Sequence, residues 1–464
     1  MESERTTLRS YSGFHQCAAE LFRPRDEAEL ARLLADCDAR GQRCTLRGSG
    51  LSLDRQALGE RAISLAHFQK LAVDPTTRRA TVGAGVTWGQ VFDATARVGL
   101  APAIMPTTRQ GTIGGTLSAH SLSRFSPLHG REGNNVDRVR VLLPDGAARE
   151  CSRDENSDLF HGVIGGFGNL GVLLEATYKL VPAPAPARVR TWLKREKGFE
   201  GLHEHLLGTD QGREVRCVVL YDDGAVLRRL DSRARLSCEE DLRRTLLYNP
   251  PGGVRTALEW AVQYWDWMGP AFWSFGYWAL LREGRPYIDP LHDYTFFMEG
   301  NVGASRWARR LGLPFRVMEQ TWVVPTTPGC LEAFLQRVMV ECRRDRLKTA
   351  IFDVVHLPGD EEFLLSSSRA LPCYAVNLAF EGLRARHPPA VERVFRALTA
   401  ECRALGGRLH LVKNIWADPK DTRAMYAEVL PRFQALKRRC DPRGTLGSDF
   451  LARAFGPEDE PAGP

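Results

Sequence analysis

No stretch of this 464-residue sequence approaches the ~18–20 uncharged apolar residues that a membrane-crossing helix needs, so none is expected. Paired cysteines of the CxxC kind are also missing. Eleven cysteines stand singly between Cys17 and Cys440, an odd count whose spacing suits neither a zinc site nor a disulfide framework. Reduced thiols and no bound metal are therefore expected. The opening residues Met1-Glu2-Ser3-Glu4-Arg5 lack an apolar segment behind them, so no secretory signal is expected and a cytoplasmic protein is. Repeats and low-complexity tracts are absent. The net charge of +7 is nowhere concentrated: the densest clusters, Arg306–Arg310 and Lys437–Arg439, read as solvated helix faces. Nucleic-acid binding wants a basic face interleaved with aromatics and is not expected. An anionic ligand or a membrane surface stays compatible with a diffuse positive charge.

What is present is a globular composition, 43% hydrophobic and 26% charged, over a length that suits two domains rather than one core. Residues 26–40 carry apolar positions at helical spacing after Pro24-Arg25-Asp26, which predicts a helix. Thr45-Leu46-Arg47 reads as a short strand, and residues 79–86 alternate as another. Thr87 is placed to cap a helix running to about Val98. Val139–Leu143 and Ala147–Cys151 flank the turn Pro144-Asp145-Gly146 as a hairpin, and residues 172–181 form a further strand. The proline-rich run 182–186 reads as a boundary. Beyond it come an aromatic segment (258–281), strands near 322–324, 349–356, 373–380 and 408–412, and helices near 328–344, 388–405 and 420–439. The aromatic segment can be a packed cap, a lid over a hydrophobic substrate, or a membrane-interface patch.

Three glycine-rich segments stand out. Gly166-Phe-Gly168-Asn-Leu-Gly171 is a literal GxGxxG, but a dinucleotide fingerprint needs a helix after it and a strand-like run follows here. Arg47-Gly48-Ser49-Gly50-Leu51-Ser52-Leu53-Asp54 and Pro106-Thr107-Thr108-Arg109-Gln110-Gly111-Thr112-Ile113-Gly114-Gly115-Thr116-Leu117-Ser118 each present backbone N–H groups and hydroxyls with few large side chains. Such loops suit a nest for phosphate oxygens, and two of them could grip one pyrophosphate from both sides.

These segments, in order, resemble the FAD-binding domain of the vanillyl-alcohol oxidase and p-cresol methylhydroxylase (PCMH-type) superfamily. The run RGSGLSLD, VGAGVTWGQV, MPTTRQGTIGG, NNVDRVRVLLPDG and GGFGNLGVLLEATYKLVP carries the likeness over about 140 residues. The second half is similar to the aldonolactone oxidase branch, and within it to the decaprenylphosphoryl-ribose oxidases. There the likeness rests on HDYTFFMEGN, EQTWVVPTTPGCLEAF, GGRLHLVKN and MYAEVLPRFQALKRRCDPRGTLGSDFLAR.

The resemblance implies an α+β fold in which residues 1–183 form a two-part FAD-binding domain. Residues 184–405 would form a substrate or cap domain with mixed or antiparallel sheet and helices, and 406–464 would return to the flavin site. It implies that Gly48, Ser49, Gly50, Leu51, Ser52 and Leu53 wrap the pyrophosphate. Thr107, Thr112, Ile113, Gly114, Gly115, Ala119, His120, Ser121 and Leu122 would follow the ribityl chain and isoalloxazine, and Val172 would touch the adenine end. Lys413 would stand over the flavin beside substrate, with His410 facing the ring. Glu319 and Thr321 fall where relatives place polar substrate contacts. Chemically, an ammonium near the flavin N1–C2 edge stabilises the charge that appears when hydride reaches N5.

Two departures from the family pattern bear on chemistry. Many relatives carry a histidine covalently joined to the flavin where this chain has Leu51, so FAD is expected to be non-covalent. Sugar-oxidising relatives often carry a His-Gly pair where this chain has Leu122-Ser123. His120, two residues earlier, would share a face with Leu122 in an extended segment and could substitute. The expected activity is FAD-dependent oxidation of a CH–OH group in a sugar, sugar alcohol, aldonolactone or lipid-linked sugar. The base would be His120, Lys413 or water, and dioxygen or another acceptor would take the electrons. A sterol Δ24-reductase-like ene-reductase and a non-catalytic flavin or lipid carrier are the alternatives.

Overall fold

The computed structural model describes residues 2–183, 186–208, 214–222, 227–237, 286–313, 315–347, 350–381 and 388–456. The aromatic segment 258–281 lies outside them. Among the described residues three sheets organise an α+β fold. The first holds β1 (Glu2–Arg9), β2 (Gln16–Arg23), β3 (Thr45–Arg47) and β4 (Arg61–Ser64) in the order β1-β2-β4-β3, with a parallel β2-β4-β3 run. The second contains β5 (Leu71–Asp74), β6 (Arg79–Gly83), β7 (Leu100–Pro102), β8 (Val136–Leu142), β9 (Ala148–Ser152) and β10 (Val172–Pro182). Its order is β5-β6-β10-β8-β9, and β7 also pairs with β10.

The third sheet holds eight strands: β11 (Arg188–Lys197), β12 (Val215–Asp222), β13 (Leu227–Ser237), β14 (Tyr287–Pro290), β15 (Val317–Pro325), β16 (Ala350–Leu357), β17 (Cys373–Glu381) and β18 (Arg408–His410). Its order is β14-β11-β13-β12-β16-β17-β15-β18, antiparallel throughout. The helices Cys330–Arg344 and Pro388–Ala404 pack on one face of it. Trp322 is fully buried there, and its Nε1 donates to Thr399 Oγ1 at 3.0 Å, so a large apolar body goes in without an unpaired N–H.

Local chemistry explains most elements. Asp26 accepts from Glu29 N at 2.8 Å and starts the helix Glu27–Ala39, which buries Leu30, Leu33, Leu34 and Cys37 along one stripe. Thr87 and Gln90 form a capping box at the head of Trp88–Ala96. After the GxGxxG run comes β10, which pairs with β6 on one side and β8 on the other, so no helix points at a pyrophosphate there. Three departures from the sequence reading have physical causes. Thr112 opens a short helix, Ile113–Ser118, inside the second glycine loop. The helix expected over 420–439 is two, Pro419–Met425 and Leu430–Cys440, because Tyr426 leaves the helix to donate its hydroxyl to Leu409 O. The N-terminal β1–β2 hairpin was not expected, since β1 carries its charges without a clean apolar alternation.

The C-terminal segment is shared between sheets. β18 pairs with β15, whereas Cys44 bridges Leu446 and Thr45 Oγ1 donates to Gly447 O, beside β3. The largest apolar cluster runs without a break from Val82 and Trp88 to Trp322 and Phe395.

Candidate cofactor and substrate site

A cavity of about 320 Å³ opens between the two glycine-rich loops. Gly48, Ser49, Gly50, Leu51 and Ser52 line one side, and Thr112, Gly114, Gly115, Ala119 and Ser121 the other. The loops touch: Ser49 Oγ donates to Gln110 O. A Cβ on Gly48 would sit 2.3 Å from Thr112 Oγ1, and one on Gly115 would sit 3.0 Å from the same oxygen. Gly50 has φ +75°, where a side chain would be strained. These are the features of a cradle built for backbone approach to an extended, phosphate-bearing ligand, and the residues present fit FAD. The walls also include Thr116 of the second loop and Gly168 of the GxGxxG run, and Gln56, Leu65, Ala84, Gly85, Phe167 and Val412, to which the sequence reading gave no role. Their signal was faint, although Gly85 lies in VGAG, part of the glycine pattern.

Other expected cofactor residues sit behind the wall. Ile113 is in the main core, Val172 is fully buried among Leu30, Leu142 and Leu446, and Leu53 packs on Ala308, Phe315 and Val317. Thr107 lends its carbonyl to Met298 N at 3.1 Å. Leu122 packs against Val323, Val355 and Ala375 on the third sheet.

His120 has φ +50°, so residues 119–122 are not extended and His120 does not share a face with Leu122. Its ring is almost wholly buried. Nδ1 accepts from Gly133 N at 3.2 Å, so Nε2 carries the proton and donates to Asp360 Oδ2 at 2.8 Å. Burial pushes its pKa down to about 4, with Arg131 adding to the effect, despite Asp360. Burial works to raise the Asp360 carboxyl, but the hydrogen bond and charge of His120, with the Glu362 N–H and the Ser366 hydroxyl, together hold it below the usual carboxylate range. Both ring nitrogens are thus engaged away from the cavity.

Arg131, also buried, donates to His120 O, Ser366 Oγ, Ser367 Oγ and His410 Nδ1. His410 is therefore neutral with its proton on Nε2, and burial holds its pKa well below normal. This network ties the second glycine loop to the segment 360–368 and to β18.

Lys413 follows β18. Its Nζ is 2.7 Å from Glu319 Oε1, and its neighbour Val412 lines the cavity. Asn414 sets this position. Its N–H donates to Glu319 O (2.9 Å), its Oδ1 accepts from Glu319 N (3.0 Å), and its Nδ2 donates to Leu53 O (3.0 Å). Gln56 Nε2 adds a bond to Lys413 O at 3.1 Å. Across the sheet His410, Thr321, Asn377 and Asp353 stand opposite one another in register, so their side chains share one face. Thr321 Oγ1 donates to Asn377 Oδ1 (2.6 Å), and Asn377 Nδ2 donates to Asp353 Oδ1 (3.2 Å). Asp353 keeps an open edge, yet the walls around it raise its pKa by desolvation, against the Asn377 bond. Asn377 and Asp353 escaped sequence reasoning because only strand register shows that they meet Thr321. Cys373 is fully buried in this sheet and burial pushes its thiol up to about 12.

Comparison with known proteins gives two family models. Residues 18–152 match an FAD binding domain and residues 299–454 match D-arabinono-1,4-lactone oxidase. An uncharacterized oxidoreductase (ORF5 in the fasciation locus) of Rhodococcoides fascians is 35% identical over 167 residues, 36% of this chain and 38% of that protein. Cytokinin dehydrogenase 5 of Arabidopsis thaliana is 31% identical over 219 residues, 44% of this chain and 41% of that protein. Cytokinin dehydrogenase 1 of Oryza sativa subsp. japonica is 35% identical over 181 residues, 37% and 34% of the two chains. The chain spans about two fifths of the length of the curated relatives it matches.

Proposed function

We propose that this chain, an FAD-dependent oxidoreductase of PCMH type with an aldonolactone oxidase-like C-terminal domain, oxidises a CH–OH group. The donor is a sugar, sugar alcohol, aldonolactone or lipid-linked sugar, and dioxygen or another acceptor takes the electrons. Location in the cytoplasm, with attraction to a membrane surface if the donor is lipid-linked, belongs to the same reading. The observation that carries it is the Lys413–Glu319 pair, adjoining the cavity-lining Val412, next to the hydrogen-bonded row Thr321–Asn377–Asp353. A cluster so rich in donors and acceptors suits a polyhydroxylated substrate.

FAD, when bound, supplies a two-electron acceptor for the hydrogen leaving the donor carbon. The loops around Gly48 and Gly115 hold its phosphates with backbone N–H groups, and Leu51 offers no atom for a covalent link. The Lys413 ammonium holds the donor oxygen, and Glu319 Oε1 takes the hydroxyl proton at 2.7 Å from that ammonium. Thr321, Asn377 and Asp353 fix further hydroxyls. His120 acts as a positioning residue, since Gly133 and Asp360 occupy its nitrogens.

Replacing Lys413 with Ala tests this reading: FAD stays bound while anaerobic reduction by the donor slows about 10²–10³-fold. Reduction at the wild-type rate would sink it. The cytokinin dehydrogenases among the relatives support a second reading, in which the donor is a cytokinin-like amine. Bleaching of the bound flavin by such an amine, and by no alcohol, would favour it.

A further inference from the structure

We propose that Cys37 and Cys44 form a reversible disulfide, a redox site that clamps the helix Glu27–Ala39 to β3 and thereby to the first glycine loop. Among the described residues these two thiols stand closest, with Cys44 Sγ 2.7 Å from Cys37 Sγ. The bond length of about 2.05 Å is roughly 0.7 Å away. Both side chains are fully buried, but the connecting residues Ala39, Arg40, Gly41 and Arg43 are exposed, so the pair lies one layer below the surface.

A second observation points the same way. Arg61, on β4, has a buried Nε with no hydrogen-bond partner, and its guanidinium lies near both sulfurs. A cation beside a dithiol stabilises the attacking thiolate. Cys37 is the one that ionises: the thiol of Cys44 donates to it and Arg61 assists, which together bring its pKa down to about 7 against burial. Cys44 is raised correspondingly. Neither cysteine serves the cofactor or substrate chemistry above, and the proposal is independent of that reading.

The oxidant is a low-molecular-weight disulfide. The Cys37 thiolate attacks one of its sulfurs, forms a mixed disulfide and expels the first small thiolate. Cys44 loses its proton, attacks Cys37 Sγ and expels the second. Two electrons pass from the pair to the oxidant, which leaves as two thiols. The consequence is mechanical. Cys44 N donates to Thr445 O and Cys44 O accepts from Gly447 N, while Leu46 and Arg47, just downstream, line the cavity. The new bond therefore pins helix, strand and C-terminal segment at one point.

The test uses the full-length protein with FAD, brought to constant composition in mixtures of reduced and oxidised glutathione, acid-quenched, alkylated and mapped by mass spectrometry. The expected product is a Cys37–Cys44 cross-linked peptide, lighter than its two reduced parts by two hydrogen atoms and restored by dithiothreitol. In C44S, Cys37 should instead carry glutathione. The unfolding temperature should rise on oxidation of the wild type and stay put in C44S. Complete alkylation of both cysteines at the highest oxidant ratio, or a link from either to another cysteine, overturns the proposal. A link that forms without changing the unfolding temperature overturns the clamp.

Discussion

At the scale of single residues, the site rests on pairs whose partners fix their protonation. Glu319 is the proposed proton acceptor because its Oε1 lies 2.7 Å from Lys413 Nζ, the group that would hold the donor oxygen. Replacing it with Gln should lower kcat about 10²–10⁴-fold while FAD content is unchanged, measured by steady-state turnover and flavin absorbance. Glu132 makes a different case. It is fully buried, accepts from Tyr178 OH (2.7 Å) and Thr116 Oγ1 (2.9 Å), and leaves Oε2 without a partner. Burial raises its pKa to about 8 from an ordinary 4.5. A folded-state pKa above the unfolded one means the folded protein holds an extra proton between those values. Stability is then full below about 4.5 and falls as pH rises to about 8, by at most about 1.4 kcal/mol per pH unit. E132Q should flatten that slope in denaturant titrations at several pH values; a slope identical to wild type would contradict the neutral carboxyl. The sequence named Lys413, Glu319 and Thr321 through a resemblance, whereas Glu132, Asn377 and Asp353 carry no motif and needed the fold.

At the scale of elements, two devices set the geometry: the contact of the glycine loops and the Asn414 clamp. A methyl group on Gly48 collides with Thr112 Oγ1 at 2.3 Å, an overpacking that costs about 1–3 kcal/mol. G48A should therefore weaken FAD binding about 10–100-fold by equilibrium titration of the apoprotein; unchanged affinity would mean the loops do not hold the phosphates. Asn414 joins β15, the segment after β18 and the first loop. N414A leaves the Glu319 N–H and the Leu53 carbonyl seeking partners and should destabilise by about 1–3 kcal/mol, read from thermal or denaturant unfolding. The glycine loops were legible in the sequence because a close approach demands a residue without Cβ. The helix Ile113–Ser118 was not, since Gly114-Gly115 hides it from propensity and only its packing under Trp88, whose Nε1 bonds Thr116, reveals it.

At the scale of the whole molecule, the account is one of surfaces brought together by non-local pairing. The glycine-rich loops from residues 47–54 and 107–122 meet the third sheet through Leu122 and the segment after β18 through Val412, with the buried Arg131–His410 contact behind them. Local strand and turn signals pointed to an α+β class, whereas the two-part cofactor domain was implied by the family resemblance alone. His120 escaped a local reading because a positive φ turns it into the core toward Asp360, 240 residues away. The proposed function depends on a flavin held without a covalent bond and reduced by an alcohol donor. The most direct measurement is the visible spectrum of the purified protein before and after acid precipitation, with the native sample then titrated anaerobically against sugar alcohols and aldonolactones. The account predicts a yellow protein, free FAD in the acid supernatant, and bleaching by an alcohol or lactone donor. A colourless protein that FAD cannot reconstitute, or one that stays oxidised with all such donors but bleaches with NADPH, would contradict it.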